Sequence, residues 1–221
     1  MQPNQLYQLD SLIEFRRDIH KHAEIYFQET RTSAKIVEYL TKLGIKEEQM
    51  RKVALTGIIV DIQGQGLPSG SPKRIAFRAD MDALSIKVRL FCIRLSYRFQ
   101  KENNPDIDFQ SVTEASHMCG HDLHMTCLLG GAAKILEKID QIPSDKHIRL
   151  LFQPAEERLG GAFGMIQEGA LLGVDEVYGM HNYPQGEPGE MYVQKGYMTS
   201  CATSINLTVL IIFYRLWYNL C

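Results

Sequence analysis

The stretch His117-Met118-Cys119-Gly120-His121-Asp122-Leu123-His124 packs three imidazoles, a thiol and a carboxylate close together. One glycine separates Cys119 from His121, so a sharp turn can point both side chains at a single ion. A thiolate beside an imidazole suits zinc, and carboxylates arriving from elsewhere widen the choice toward manganese. Three further clusters could supply them: Arg78-Ala79-Asp80-Met81-Asp82, Gln153-Pro154-Ala155-Glu156-Glu157 and Met180-His181-Asn182. Adjacent glutamates would diverge on a strand. On a turn, one can reach a metal while its neighbour faces the nucleophilic water, which is what a metallohydrolase needs. His181 adds a neutral nitrogen. Taken singly, each cluster has a plainer reading: a loop or helix cap for Asp80 and Asp82, a solvated face for Glu156 and Glu157, turn chemistry for His181-Asn182. His20 and His22 read as surface or cap histidines. No HExxH, Walker loop, GxGxxG or GxSxG competes.

The elements that must position these groups are short. Apolar runs bounded by Gly and Pro predict strands at 57–62, 75–77, 148–152 and 176–178, with a loop at 63–73. Helical spacing predicts a helix opened by a Ser11/Glu14 capping box and carrying Leu12, Ile13, Arg16 and Ile19. Others are expected at 32–43, stopped by Gly44, at 125–139, and at 162–168, closed by Gly169. Strands alternating with helices predict an α/β layer fold with a largely parallel sheet. The Asp80, Glu156 and His181 clusters each follow a strand. Ligands of open α/β sheets bind beyond the carboxyl ends of strands, so the three clusters should converge.

Composition bounds the function classes. With 221 residues, 45% hydrophobic and 23% charged, the chain is neither a disordered tail, a collagen-like fibre nor a disulfide miniprotein. A net charge of −2 argues against nucleic acid as a partner. Five scattered cysteines without a CxxC pair favour a reducing compartment, and the amino terminus lacks the basic and apolar segments of a secretory signal, so a cytoplasmic location is expected. The apolar run at 209–220 contains Arg215 and Asn219 and is shorter than the roughly 20 residues of a membrane span, so no anchor is expected there.

Five motifs in order then carry a family resemblance: FRRDIHKHAEIYFQET from Phe15, FRADMDAL from Phe77, HMCGHDLHMT from His117, LFQPAEE from Leu151 and GMHNYPQGEPGE from Gly179. The chain resembles the metal-dependent amidohydrolases of the aminoacylase and carboxypeptidase group, above all hippurate hydrolases and hydrolases of indoleacetyl-amino acids. The resemblance implies a zinc-exopeptidase-like α/β domain, a mixed sheet flanked by helices, holding two divalent metal ions, manganese or zinc. It implies Cys119, His121, Glu157 and His181 as ligands, and Glu156 as the general base that activates water and then protonates the leaving amine. Asp80 and Asp82 would hold ligands and backbone in place from behind. The small-molecule substrate would be an N-acyl amino acid, cleaved at its amide bond.

The sequence also departs from that pattern. The basic segment at 88–99 interrupts the link between MDAL and the Cys119 cluster, and a half-buried strand pattern at 204–209 gives way to an aromatic and aliphatic tail. Both stretches break the pattern abruptly and share a composition rich in Leu, Ile, Phe, Tyr and Arg, so both are expected to be translated intron. The expected organisation is residues 1–203 as the amino-terminal part of the catalytic domain, with 88–99 an atypical insertion, and 204–221 as a strand start plus an atypical tail. The family's lid and dimerisation domain and one further histidine ligand would be absent. A family-type dimer is then not expected, and activity should be weak. The competing expectation is a non-catalytic metal-binding or interaction protein on half of the same fold.

Overall fold

The computed structural model describes residues 9–85, 107–158, 160–187, 189–193 and 195–196. The atypical segment at 88–99, the strand expected at 204–209 and the tail after it lie outside the described residues. The chain divides into two compact units, residues 1–182 and 183–221.

The first unit is built around a five-stranded mixed sheet. Its strands are β1 (Met50–Val53), β2 (Gly57–Gln63), β3 (Lys73–Asp80), β6 (Lys146–Gln153) and β7 (Glu176–Gly179), in spatial order β1-β2-β6-β3-β7. A separate two-stranded ladder pairs β4 (Leu84–Ser85) with β5 (Ala115–Ser116). The sheet is less parallel than its sequence predicts. β1 and β2, and β2 and β6, run antiparallel, while β3 runs parallel to both β6 and β7. β1 carries Arg51 and Lys52 exposed on an edge, so its sequence has no apolar run to betray it.

Alternation along the two central strands sorts the core into layers. Ile58, Val60 and Ile62 of β2 face the same side as their neighbours Phe152, Leu150 and Ile148 of β6; Ile59 and Leu151 face the other. The first side is covered by α1 (Leu9–Lys21), α2 (Thr30–Lys42) and α3 (His121–Glu137), through Leu12, Phe15, Ile19, Ile36, Leu40, Met125 and Leu129. The second is covered by α4 (Gly161–Gln167), which inserts Met165. Each such side chain taken out of water contributes roughly 1.5–3 kcal/mol, so burial on both faces holds the sheet.

The helices fall close to their predicted places, with two instructive differences. Ser11 lies inside α1 and hydrogen-bonds the Tyr39 hydroxyl at 3.1 Å, so it does not cap the helix. The third helix starts at His121 rather than Met125, because its first turn buries His121, Asp122 and His124 where an apolar periodicity would be sought. α2 ends as expected: Gly44 takes φ +95°, the left-handed conformation that closes helices. Among the described residues no helix is long and apolar enough to cross a membrane. In the second unit, the Tyr183 and Tyr192 rings meet edge to face at 5.3 Å.

Candidate metal centre

Parallel pairing of β3 with β6 and β7 brings three strand ends to one edge, with Asp80 opposite Gln153 and Arg78 opposite Gly179. The residues that follow, Asp82, Glu156–Glu157 and His181, therefore start from neighbouring points. The amino terminus of α3 meets them from the loop before it. There Gly120 adopts φ +88°, and a Cβ on it would lie 2.4 Å from Asn182 Oδ1. Only glycine suits both the turn and that approach, and it separates Cys119 from His121.

The two imidazoles expected as ligands are set up alike. His121 Nδ1 donates to the Asp82 carbonyl at 2.8 Å, and His181 Nδ1 donates to the Asn182 carbonyl at 2.9 Å. Each bond fixes the ring and turns Nε2 outward as an acceptor, the arrangement found behind metal-binding histidines. His181 Nε2 lies 3.3 Å from Cys119 Sγ. Among the described residues, His121 Nε2 and Glu157 Oε1 are buried with no hydrogen-bond partner and lie 3.8 Å apart. With Nε2 unprotonated both atoms are acceptors, and a cation between them would satisfy both. Ligand atoms of Cys119, His121 and His181 lie within 4.8 Å of one another, and so do those of His121, Glu156 and Glu157. The two groups share His121, and their thiol, imidazole and carboxylate donors fit divalent ions such as zinc or manganese.

The electrostatics agree with that fit. Burial, and then the negative charge of Glu157, Asp80 and Glu156, pushes the Cys119 thiol up to about 12. Burial works against a charged His121, yet the Asp82 side chain and the negative charge of Asp80, Asp82 and Glu157 raise its pKa. Burial also raises Glu157. Carboxylates of Asp80, Asp82, Glu156 and Glu157 thus gather negative charge around this site, which a divalent cation would offset.

Asp80 and Asp82 stand directly behind. Asp82, 1% exposed, accepts the Glu156 N–H on Oδ1 at 2.9 Å and the Glu157 N–H on Oδ2 at 3.0 Å. Both glutamates sit on a single 3-10 turn, Glu156–Arg158, entered through Ala155 at φ +48°. This turn replaces the diverging strand geometry, so both carboxylates reach the same side. Asp80 accepts from Arg78 at 2.7 Å and from His124 Nδ1 at 2.6 Å. Burial opposes its ionisation, but His124, His121 and Arg78 outweigh burial and hold its carboxyl at about 2.

The histidine-rich stretch does not act as one cluster. His124 lies on the same face of α3 as His121, one turn on, but both of its nitrogens are engaged: Nδ1 with Asp80 and Nε2 with the Asn182 backbone N–H at 2.9 Å. It links β3 to the His181-Asn182 segment, a role that its spacing from His121 could have suggested. Asp122 points the other way, accepting from Arg16 Nε at 3.2 Å and His20 Nδ1 at 3.0 Å. It ties α3 to α1. His117 is buried, its ring nitrogens lack hydrogen-bond partners among the described residues, and burial pushes its pKa down to about 4. His22 donates to the Asp18 carbonyl, away from the site.

The mixed α/β sheet thus gathers imidazole and carboxylate groups from the ends of its parallel strands, with a thiol from the loop before α3. The family model for peptidase family M20/M25/M40 matches residues 76–197, and the chain belongs to that family. It is 41% identical over 184 residues to thermostable carboxypeptidase 1 of Saccharolobus solfataricus, covering 80% of this chain and 41% of that one. It is 35% identical over 199 residues to hippurate hydrolase of Campylobacter jejuni, covering 89% and 46%. The Bacillus subtilis YXEP protein, a dinuclear metal-binding peptidase of family M20, superposes with a TM-score of 0.66 at 34% identity, covering 80% of this chain and 44% of that structure. The chain thus spans less than half the length of these relatives and holds part of their fold.

Proposed function

We propose that this chain carries the metal centre of a hydrolase that cleaves the amide bond of N-acyl amino acids. The observation that carries the reading is the pair of buried, unpartnered acceptors, His121 Nε2 and Glu157 Oε1, facing each other beside Cys119 and His181. The hippurate hydrolase and carboxypeptidase names of its relatives support amide chemistry at a free carboxylate.

Cys119, His121, Glu157 and His181 would hold ligand positions of a two-ion site, manganese or zinc. Such ions polarise the scissile carbonyl and lower the pKa of water. Glu156, beside Glu157 on the same turn, takes the proton of the attacking water and returns it to the departing amine. Asp82 fixes that turn through two backbone N–H groups. Asp80 and His124 keep the carboxyl edge of β3 in register with the His181 segment. The scattered cysteines support a reducing, cytoplasmic setting for a thiolate ligand.

Because the chain spans 41–46% of its relatives, we propose that turnover by these 221 residues alone is weak. The same coverage favours one second reading, a metal-binding protein without catalysis. The test is an assay with acyl and aryl amino acids in manganese or zinc, comparing the chain with Glu156→Gln. Metal-dependent turnover lost in Glu156→Gln, with metal content unchanged, supports the hydrolase. Stoichiometric metal without turnover supports the second reading. No metal uptake overturns both.

A further inference from the structure

The FQET segment, Phe27 to Thr30, contains Glu29, a residue given no role by the chemistry above, and its surroundings point to one. Glu29 is 0% exposed. It occupies the position before α2, where a side chain normally caps the helix, but it makes no capping bond. Its carboxylate instead reaches across the fold: Oε2 accepts the Thr56 hydroxyl at 2.6 Å, and Oε1 accepts the Ala155 N–H at 2.9 Å.

Ala155 is the residue through which β6 turns into Glu156–Glu157. Its φ of +48° is a conformation that residues other than Gly, Asn and Asp seldom adopt. Such backbone persists only where its surroundings over-determine it. Here three consecutive N–H groups are held by two buried carboxylates: Ala155 by Glu29, and Glu156 and Glu157 by Asp82. The Ala155 carbonyl in turn accepts the N–H groups of Gly160 and Gly161. Thr56 anchors the far oxygen of Glu29 from the turn between β1 and β2, beside Ala54 and Leu55, which also have positive φ. A rigid scaffold therefore reaches from the first hairpin to the backbone under the glutamate pair.

We propose that Glu29 is a positioning residue for the Glu156–Glu157 turn: its carboxylate holds Ala155 in the left-handed conformation that aims both glutamates at the metal centre. The inference rests on the proposed function for its consequence at the metal, but not for the clamp itself. What the clamp needs is reach rather than charge. In Glu29→Gln the amide oxygen still accepts from Ala155, while its NH2 donates to the Thr56 hydroxyl oxygen, which can accept. In Glu29→Asp the charge stays, but the carboxylate is one methylene short and cannot hold Thr56 and Ala155 together.

The test compares wild type, Glu29→Gln and Glu29→Asp by two measurements on the full chain. Residue-resolved amide hydrogen exchange reads the clamp without any metal. Cobalt titration reads its consequence, through the visible spectrum of the bound ion. Glu29→Asp should lose protection at Ala155, Glu156 and Glu157 and bind cobalt at least tenfold more weakly, the scale on which supporting partners of metal ligands act. Glu29→Gln should keep both within about twofold. Equal protection at 155–157 in Glu29→Asp and wild type overturns the proposal, even if Glu29→Asp is less stable overall. So does the reverse order, with Glu29→Gln the damaged variant, because charge would then be what matters. If wild type takes up no cobalt, the metal reading fails, while exchange at 155–157 still decides the clamp.

Discussion

Replacing Asp82 by Asn changes one oxygen to an NH2 group and nothing in size, which makes it a sharp probe of the turn beneath Glu156 and Glu157. Asp82 is 1% exposed, and each carboxylate oxygen accepts one backbone N–H, at 2.9 and 3.0 Å. The variant keeps one of these bonds and aims a donor at the other N–H. A hydrogen bond to a charged group contributes about 1.5–3 kcal/mol, and a buried N–H left unpaired costs about 1–3 kcal/mol. Relaxation recovers part of that sum, leaving a loss of about 3 kcal/mol. The metal-free domain should still fold, since small domains are stable by about 5–15 kcal/mol. With an m-value of roughly 2 kcal/mol per M, its urea midpoint should drop by about 1.5 M. Zinc affinity, measured by calorimetry, should fall 10–100-fold because Glu157 is no longer held in place. A variant whose urea midpoint and zinc Kd both match wild type would refute the reasoning that Asp82 fixes the turn.

Asp80 has a carboxyl held at about 2 against an ordinary 3.8, so it contributes stability above pH 4 that is lost as pH falls toward 2. That shift corresponds to roughly 2 kcal/mol; urea unfolding should find the gap between wild type and Asp80→Asn narrowing by about this amount between pH 5 and pH 2. Arg149, 5% exposed, donates to Asp61 and to the carbonyls of Gly169, Ala170 and Leu172 that follow α4. Arg149→Met should cost about 3 kcal/mol in urea unfolding, while Asp61→Asn, whose side chain is 45% exposed, should cost less than about 1 kcal/mol. Gly120→Ala places a methyl group 2.4 Å from Asn182 Oδ1 in a backbone conformation costing alanine roughly 1–2 kcal/mol. Calorimetry should find weaker zinc binding with α3 intact by circular dichroism.

Much of this architecture is legible in the sequence because local patterns and long-range roles coincide. The runs at 57–62 and 148–152 are mostly apolar because β2 and β6 bury both faces, and the single charge in each, Asp61 and Arg149, pairs across the two strands. The clusters after β3, β6 and β7 converge because these three strands run parallel, the part of the sheet that the alternation of strands and helices does announce. The remainder is hidden for physical reasons. β1 is an exposed edge whose arginine and lysine look like a loop. The start of α3 buries imidazoles and a carboxylate, which hydrophobic periodicity cannot register, and the helix face it defines separates His124 from Asp122. The pairing of Glu29 with Ala155 spans 126 positions and depends on a positive φ at an alanine, which no local pattern announces.

The central claim is that Cys119, His121, Glu157 and His181 hold a divalent ion. Crystals grown with zinc and measured across the zinc absorption edge test it most directly. The account predicts an anomalous peak about 2.0–2.3 Å from Cys119 Sγ, the Nε2 atoms of His121 and His181, and a Glu157 oxygen. Zinc bound elsewhere, or no zinc between these four side chains, would contradict it.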